Sequence, residues 1–542
     1  MLRSTILTFL LVVTVNAQES QLGRVDFPNS GSTKAQTPFL RGLAALHSFW
    51  YEEALEAFRE STTADPDFMM GYWGEAMAHN HPLWSEQDLT AARAVIAKIK
   101  DSPKLSERER AYLNAVKILY GDGDKRARDV AYSAAMEKIY RTYPEDLDAA
   151  AFYSLSLLGL VGPGQKGYRL QAQAGAIALA VYEKNPNHPG AAHYIIHAFD
   201  DPDHAILALP AARRYADIAP EAHHARHMPS HIFLQLGMWP ETAASNESAW
   251  ESSDNWMKRK HLSLSVRDYH SLHWLMYAYL QQGRYRKADE LLQLMKKVMS
   301  ESTYDNKLRP DYYENNYANM AAAFIVETER WDRATELFPD KAIPMTSSQP
   351  SPQAPANGGH AGHGSMSAPT TNTMRYSGAW RTLPPFIRAL SAAIRGSNDV
   401  PTGLPGTREL EVGAVTASLK NDHVKASDLM KAAVALEEQG PPPSGPPSAI
   451  KPPHELFGEI LLRAGKPEEA LAQFKTALLR QPNRARSLLG AARAAAKSGD
   501  QTSATAFYAK LLEQWKQADE DLPELREARD YLKTNPQITQ KN

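Results

Sequence analysis

The sequence predicts an all-α chain built from repeated helix pairs, and three observations predict it. Small, aromatic and proline residues recur at a spacing of about 34 residues. No stretch alternates between apolar and polar residues for long, so strands are not expected. Apolar residues make up 43% of the 542 and charged residues 23%, which is enough material for a long core under a water-compatible surface.

The repeat begins at Phe39 to Pro66, where Gly42 is followed by Tyr51, Ala54, Phe58 and Pro66. Gly42 and Ala54 stand where two antiparallel helices touch most closely, Phe58 fills the space beside them, and Pro66 ends the second helix because it has no N–H to continue the ladder. The pattern returns in register at Gly458, Gly465, Ala470, Phe474, Ala477 and Pro482, and again at Gly499, Ala504 and Tyr508. Gly283, Tyr285 and Ala288 mark one intermediate unit, and Trp331, Ala334 and Phe338 another. Pro144, Pro186 and Pro220 close further units. Ser106 with Glu109 forms a capping-box pattern at the start of a helix over 106–120.

These residues resemble the tetratricopeptide repeat family over most of residues 35–535. The resemblance implies an α-solenoid of about nine helix pairs, some degenerate, with a concave groove that binds protein or peptide partners. Residues 344–374 are rich in Pro, Ser, Gly, Ala and Thr, with too little apolar surface to offset their ordering entropy. They are expected to form a disordered insertion between an N-terminal array over 35–343 and a C-terminal array over 375–535, with a short tail at 536–542. A second Pro-rich stretch, Gly440 to Pro453, reads as a loop.

The N-terminus reads as a secretory signal: Arg3, then an apolar run from Ile6 to Val15, then Val15-Asn16-Ala17 as a small-residue cleavage site. Cleavage after Ala17 would leave a tail over 18–34 and an exported chain, periplasmic or extracellular. The apolar run spans only about 15 Å as a helix, half a hydrocarbon core, and no later segment is long and apolar enough to span a membrane. A net charge of −2 argues against a nucleic-acid partner. The chain has no cysteine, so disulfides, thiolate metal ligands and cysteine nucleophiles are excluded. Neither a phosphate-cradling glycine loop nor a Gly-x-Ser-x-Gly elbow is present.

The histidines keep time with the repeat. His193 and His197 are four apart, as are His227 and His231, and the two pairs are offset by 34 residues. Two imidazoles at i and i+4 share one face of a helix, the spacing of helical zinc sites. Neighbouring helices about 10 Å apart can converge two such pairs on one ion or cradle two. Zinc, iron or copper suits neutral imidazole, with Asp200, Asp201 and Glu221 as further ligands or as carboxylates that orient the rings. Pro229, between His227 and His231, is expected to kink its helix and disturb the equivalence of the pairs. His360 and His363, in the insertion, are expected to have no dedicated role.

By the tetratricopeptide resemblance, the two pairs face the groove, and His47 and His81, also 34 apart, hold another groove position. Counted from Gly283, His270 and His273 land on groove positions with Tyr277 beside them, and Trp73 counts to one more. Trp73, His81, His270, His273 and Tyr277 are therefore candidates to touch a partner. The segments 193–200 and 224–233 are similar to a bacterial family of exported tetratricopeptide proteins and, more distantly, to tetratricopeptide repeat protein 38 of animals. That likeness implies a fold and names no reaction. Two functions stay open: a scaffold holding a peptide or protein in its groove, and a metal-binding protein or metal-dependent enzyme using the two His-x3-His pairs.

Overall fold

A computed structural model describes residues 21–162, 167–300, 312–339, 378–397, 400–440, 442–447 and 450–535. The expected signal over 1–17, the insertion over 344–374 and the tail over 536–542 lie outside the described residues. Within them the chain is an α-solenoid of tetratricopeptide-type helix pairs. The one β element is a two-residue antiparallel bridge, Asn80–His81 against Glu86–Gln87.

Most helices pack on the next: Thr33–His47 on Tyr51–Ala64, that helix on Met69–Met77, and, at the other end, Gln501–Gln514 on Pro523–Thr534. Prolines set the ends of the second helices. Helices Tyr51–Ala64, Lys125–Thr142, Arg169–Lys184, Ala205–Ile218 and Pro467–Arg480 each stop one residue short of a proline. The residue before each proline has left the helical region, because the pyrrolidine ring disfavours helical backbone in its predecessor. The box at Ser106 and Glu109 is formed and opens helix Glu107–Leu119.

Phe58 shows why the repeat needs glycine. Its ring lies between two neighbouring first helices, and a Cβ added to Gly42 or Gly74 would stand 3.0 or 2.3 Å from it. Phe474 stands in the same relation to Gly458 and Gly490, at 2.8 and 2.3 Å. Removing either ring would open a cavity costing roughly 3–5 kcal/mol.

The core runs as two apolar clusters, one from Leu22 to Trp256 and one from Trp239 to Ala528, overlapping at helix Trp239–Arg259. Residues 21–31 form no helix, yet Leu22 and Phe27 are fully covered. The last repeats turn back onto the middle of the chain. Trp239 donates its indole N–H to the Asn483 carbonyl, and Trp515 donates to that of Gln281. Gly237 meets the Pro482 carbonyl so closely that no side chain fits between them.

Three expectations for single residues are corrected here. Trp73 is a core residue, its ring packed against Phe27, Tyr112 and Phe152 at 5.4–5.6 Å. His81 is off the helical register because helix Met69–Met77 has already ended; it sits in the β bridge, stacked on Tyr51 at 3.9 Å. Tyr277 is buried where the C-terminal repeats fold back, its hydroxyl accepting from Arg484 at 2.7 Å. None of the three faces a groove.

Candidate metal centre

The first helices of three consecutive units meet at their histidines. Helix Pro189–Ala198 carries His193 and His197 on one face. The next first helix is divided by Pro229 into His223–His227 and Pro229–Gln235, as a proline without an N–H requires. Its His224, His227 and His231 are spaced by three and four and form one stripe across the break. Helix Tyr269–Gln281, capped by the Asp268 side chain, supplies His270.

These six rings form two triads, His193 with His197 and His224, and His227 with His231 and His270; within each triad the facing side-chain nitrogens lie within 4.8 Å of one another. The two i,i+4 pairs thus stay intact but serve different triads, each completed by a histidine from the following unit or its start. The triads adjoin: the rings of His197 and His231 are 5.8 Å apart between centroids, and those of His224 and His227 are 6.0 Å apart.

Hydrogen bonds fix the Nδ1 of three of the rings. His193 donates its Nδ1–H to the His47 carbonyl at 2.7 Å, so its Nε2 is a bare lone pair. That Nε2 faces the Nε2 atoms of His197 at 3.1 Å and His224 at 3.0 Å. His227 donates Nδ1–H to Asn246 Oδ1 at 2.7 Å, and Asn246 is held in that orientation because its Nδ2 donates to the Thr242 carbonyl. His231 donates Nδ1–H to Asp200 Oδ2 at 2.7 Å, while Gln235 donates to Asp200 Oδ1.

The second triad therefore sets two acceptors against each other, His227 Nε2 and His231 Nε2, 3.2 Å apart. Two lone pairs at that distance repel unless a cation sits between them. Burial, then the charge of His231, lowers the pKa of His227 to about 4, so its own Nε2 carries no proton at neutral pH. Burial, then the charge of His197, likewise holds His193 well below its ordinary value, and burial followed by His227 does so for His270. A tetrahedral metal at 2.0–2.1 Å from each nitrogen would hold them about 3.3 Å apart. The spacing and the bare lone pairs fit a transition metal, and acceptors behind metal-binding imidazoles are how such ligands are oriented.

Two aromatic walls close the site. Trp274 stands 4.3 Å from the His231 ring and 5.0 Å from His227. Phe49 stands 4.2 Å from His193. Phe49 has φ +54°, left-handed backbone that Gly237, Gly283, Gly465 and Gly499 adopt after other first helices. A bulky residue there costs about 1–2 kcal/mol, so the ring is held against the histidines despite the strain.

The carboxylates divide. Asp200 orients His231 as expected, but the Asp201 carboxylate accepts from His204 Nδ1 at 2.8 Å, and Glu221 is exposed at the surface. Neither belongs to the triads. His270 belongs to the second triad and is not a free groove contact, whereas His273 is buried with its pKa lowered to about 4 by desolvation. His224 was missed by counting in steps of 34, although its i, i+3, i+7 stripe with His227 and His231 is visible in the sequence.

No family model matches the sequence, and no curated protein is similar to it. Among solved structures, the P58(IPK) TPR domain is 12% identical, covers 94% of this chain and 99% of its own, and has a TM-score of 0.20. Yeast Tom70 is 12% identical with coverages of 93% and 90% and a TM-score of 0.27. The human IFIT1 dimer with m7Gppp-AAAA is 12% identical with coverages of 94% and 92% and a TM-score of 0.32. At these scores neither a superposition nor the neighbours' roles carry over to this chain.

Proposed function

We propose that this chain is a metal-binding protein with a paired tri-histidine centre built into a helical-repeat scaffold. One observation carries the reading: His227 and His231 have both committed Nδ1–H to fixed acceptors, leaving two bare Nε2 atoms 3.2 Å apart. The centre takes transition metals that favour imidazole, two per chain. The pattern from Arg3 to Ala17 supports export, and N-terminal sequencing of the extracytoplasmic protein should begin at Gln18.

The test is elemental analysis of protein purified without a histidine tag, with melting followed before and after chelation. Two equivalents of metal are expected, and loading should stabilise the fold by about 2.7 kcal/mol per site when free metal is a hundredfold over Kd. The double substitution His193→Ala with His227→Ala should abolish both. Wild-type protein that binds no metal and melts unchanged would sink the reading.

The second reading is a partner-binding scaffold, favoured by the stacked helix pairs themselves. His193, His227 and His231 are buried, so they make no surface for a peptide. A partner would then lie elsewhere on the solenoid, and its capture would be indifferent to chelation.

A further inference from the structure

We infer, building on the metal reading above, that the two triads hold a pair of copper ions that together bind dioxygen. The donor set points to the metal. Six imidazoles face the two positions, and among the described residues no carboxylate is grouped with them. Asp200 is held back, one oxygen on His231 and the other on Gln235, so no carboxylate is set to bridge two hard cations. Three imidazoles without a fourth protein ligand satisfy Cu(I), which is content with three donors, and imidazole suits copper in both oxidation states of the cycle.

Charge supports the same choice. Two carboxylates back the centre, Asp200 on His231 and Asp268 beside His223 and near His227 and His270. Two Cu(I) ions bring two positive charges and are matched by that pair. Two divalent ions would bring four into a buried site, where unmatched charge is costly.

The placement points to the ligand. Rings of opposite triads approach to 5.8 and 6.0 Å, so the two positions adjoin, with Phe49 against the first triad and Trp274 against the second. A small neutral molecule suits such walls better than an anion. A small cavity lined by Leu46, Met77, Phe152 and Leu155 shares the Phe49 ring with the first triad. The step balances without a further reagent. Each Cu(I) gives up one electron, dioxygen takes up both and becomes peroxide between two Cu(II) ions, and no proton moves. The reverse releases dioxygen and restores both Cu(I).

The experiment loads the metal-free full chain with Cu(I) under argon, counts copper, then admits air and records electron paramagnetic resonance and near-ultraviolet absorption. Two coppers per chain, little resonance signal after air, and an absorption band that argon removes are expected. Two coppers that give the full signal of isolated Cu(II) would overturn the dioxygen pair and leave the metal reading standing. Tight zinc binding with no Cu(I) uptake would also overturn it, whereas failure to bind any metal would remove the reading beneath it. His270→Ala, at a half-buried position, should leave about one copper per chain, which air converts to a full Cu(II) signal; circular dichroism verifies that this variant is folded. Silence with two coppers in that variant would count against the pair.

Discussion

Three clusters of similar size lie among the first repeats, and their wiring separates them. In the third cluster, His47 and His188 flank Asp148, with all three side chains buried. His188 Nδ1 accepts from the Ala191 N–H, so its Nε2 carries the proton and points at Asp148 Oδ1, 3.3 Å away. His47 faces the same oxygen with Nε2 at 2.8 Å and the Tyr194 hydroxyl with Nδ1 at 2.9 Å. Burial works to raise the Asp148 pKa, but the hydrogen bonds from His188 and His47 hold it below its usual range. Two ring N–H groups thus converge on one carboxylate oxygen, and the Tyr194 hydroxyl meets the His47 Nδ1 lone pair. In the second triad the donors of His227 and His231 are spent outward, on Asn246 and Asp200, and lone pair meets lone pair. Proximity alone therefore does not mark a metal site; the direction of the Nδ1–H does.

The largest test of that contrast is Asp148→Ala. It leaves two buried imidazoles without their acceptor and should cost about 3–5 kcal/mol of stability, read from denaturant melts. Metal bound per folded chain should stay at two. Loss of metal at unchanged stability would reverse the assignments of the clusters.

A smaller effect separates the two triads from each other. In the second, Asp200 stands behind His231, whereas His193 of the first donates to a neutral carbonyl. Asp200→Asn should weaken metal binding at the second triad by 10–100-fold and spare the first. Titration of that variant should resolve a tight and a weak site. Equal weakening of both would mean that the triads do not bind independently.

Acid should distinguish the clusters as well. His227 has a folded pKa of about 4 against about 6.5 when unfolded, so the unfolded chain binds its proton first as pH falls. Stability from its neutral form is complete above 6.5 and is lost between 6.5 and 4, by at most about 1.4 kcal/mol per pH unit. Asp148, whose pKa is depressed, yields its contribution only at lower pH, below the ordinary carboxylate range. Melts of metal-free wild type and His227→Gln across pH 4–7 should therefore diverge within that window. Parallel curves would show that His227 is not held neutral.

Much of the fold was legible because its determinants are local. Proline closes five of the second helices through its own ring, and Phe58 with Gly42 declares a close crossing within a single unit. The pairs His193/His197 and His227/His231 were legible for the same reason, since spacing of four needs only a helix. What escaped depends on contacts distant in sequence. Trp73 was assigned to the groove because nothing in the repeat register shows that Phe27 crosses over it. Tyr277 was misplaced because the pairing with Arg484 follows from the chain turning back. The acceptors that decide the site, the His47 carbonyl and Asn246, lie on other helices, and no spacing rule points to them.

The smallest expected effect is none at all, and it bears on whether spacing or wiring makes the ligand. His360 and His363, outside the described residues, sit three apart in a Gly- and Ala-rich segment. By spacing alone they are as good a metal motif as His224 and His227. Their nearest sequence neighbours are Gly, Ala and Ser, which carry little apolar surface to exclude water from an ion. Replacing both with Ala should leave metal stoichiometry, melting temperature and the response to chelation unchanged within error. A loss of one equivalent in that variant would place a bound ion in the insertion, and spacing would then count for more than the acceptors behind each ring.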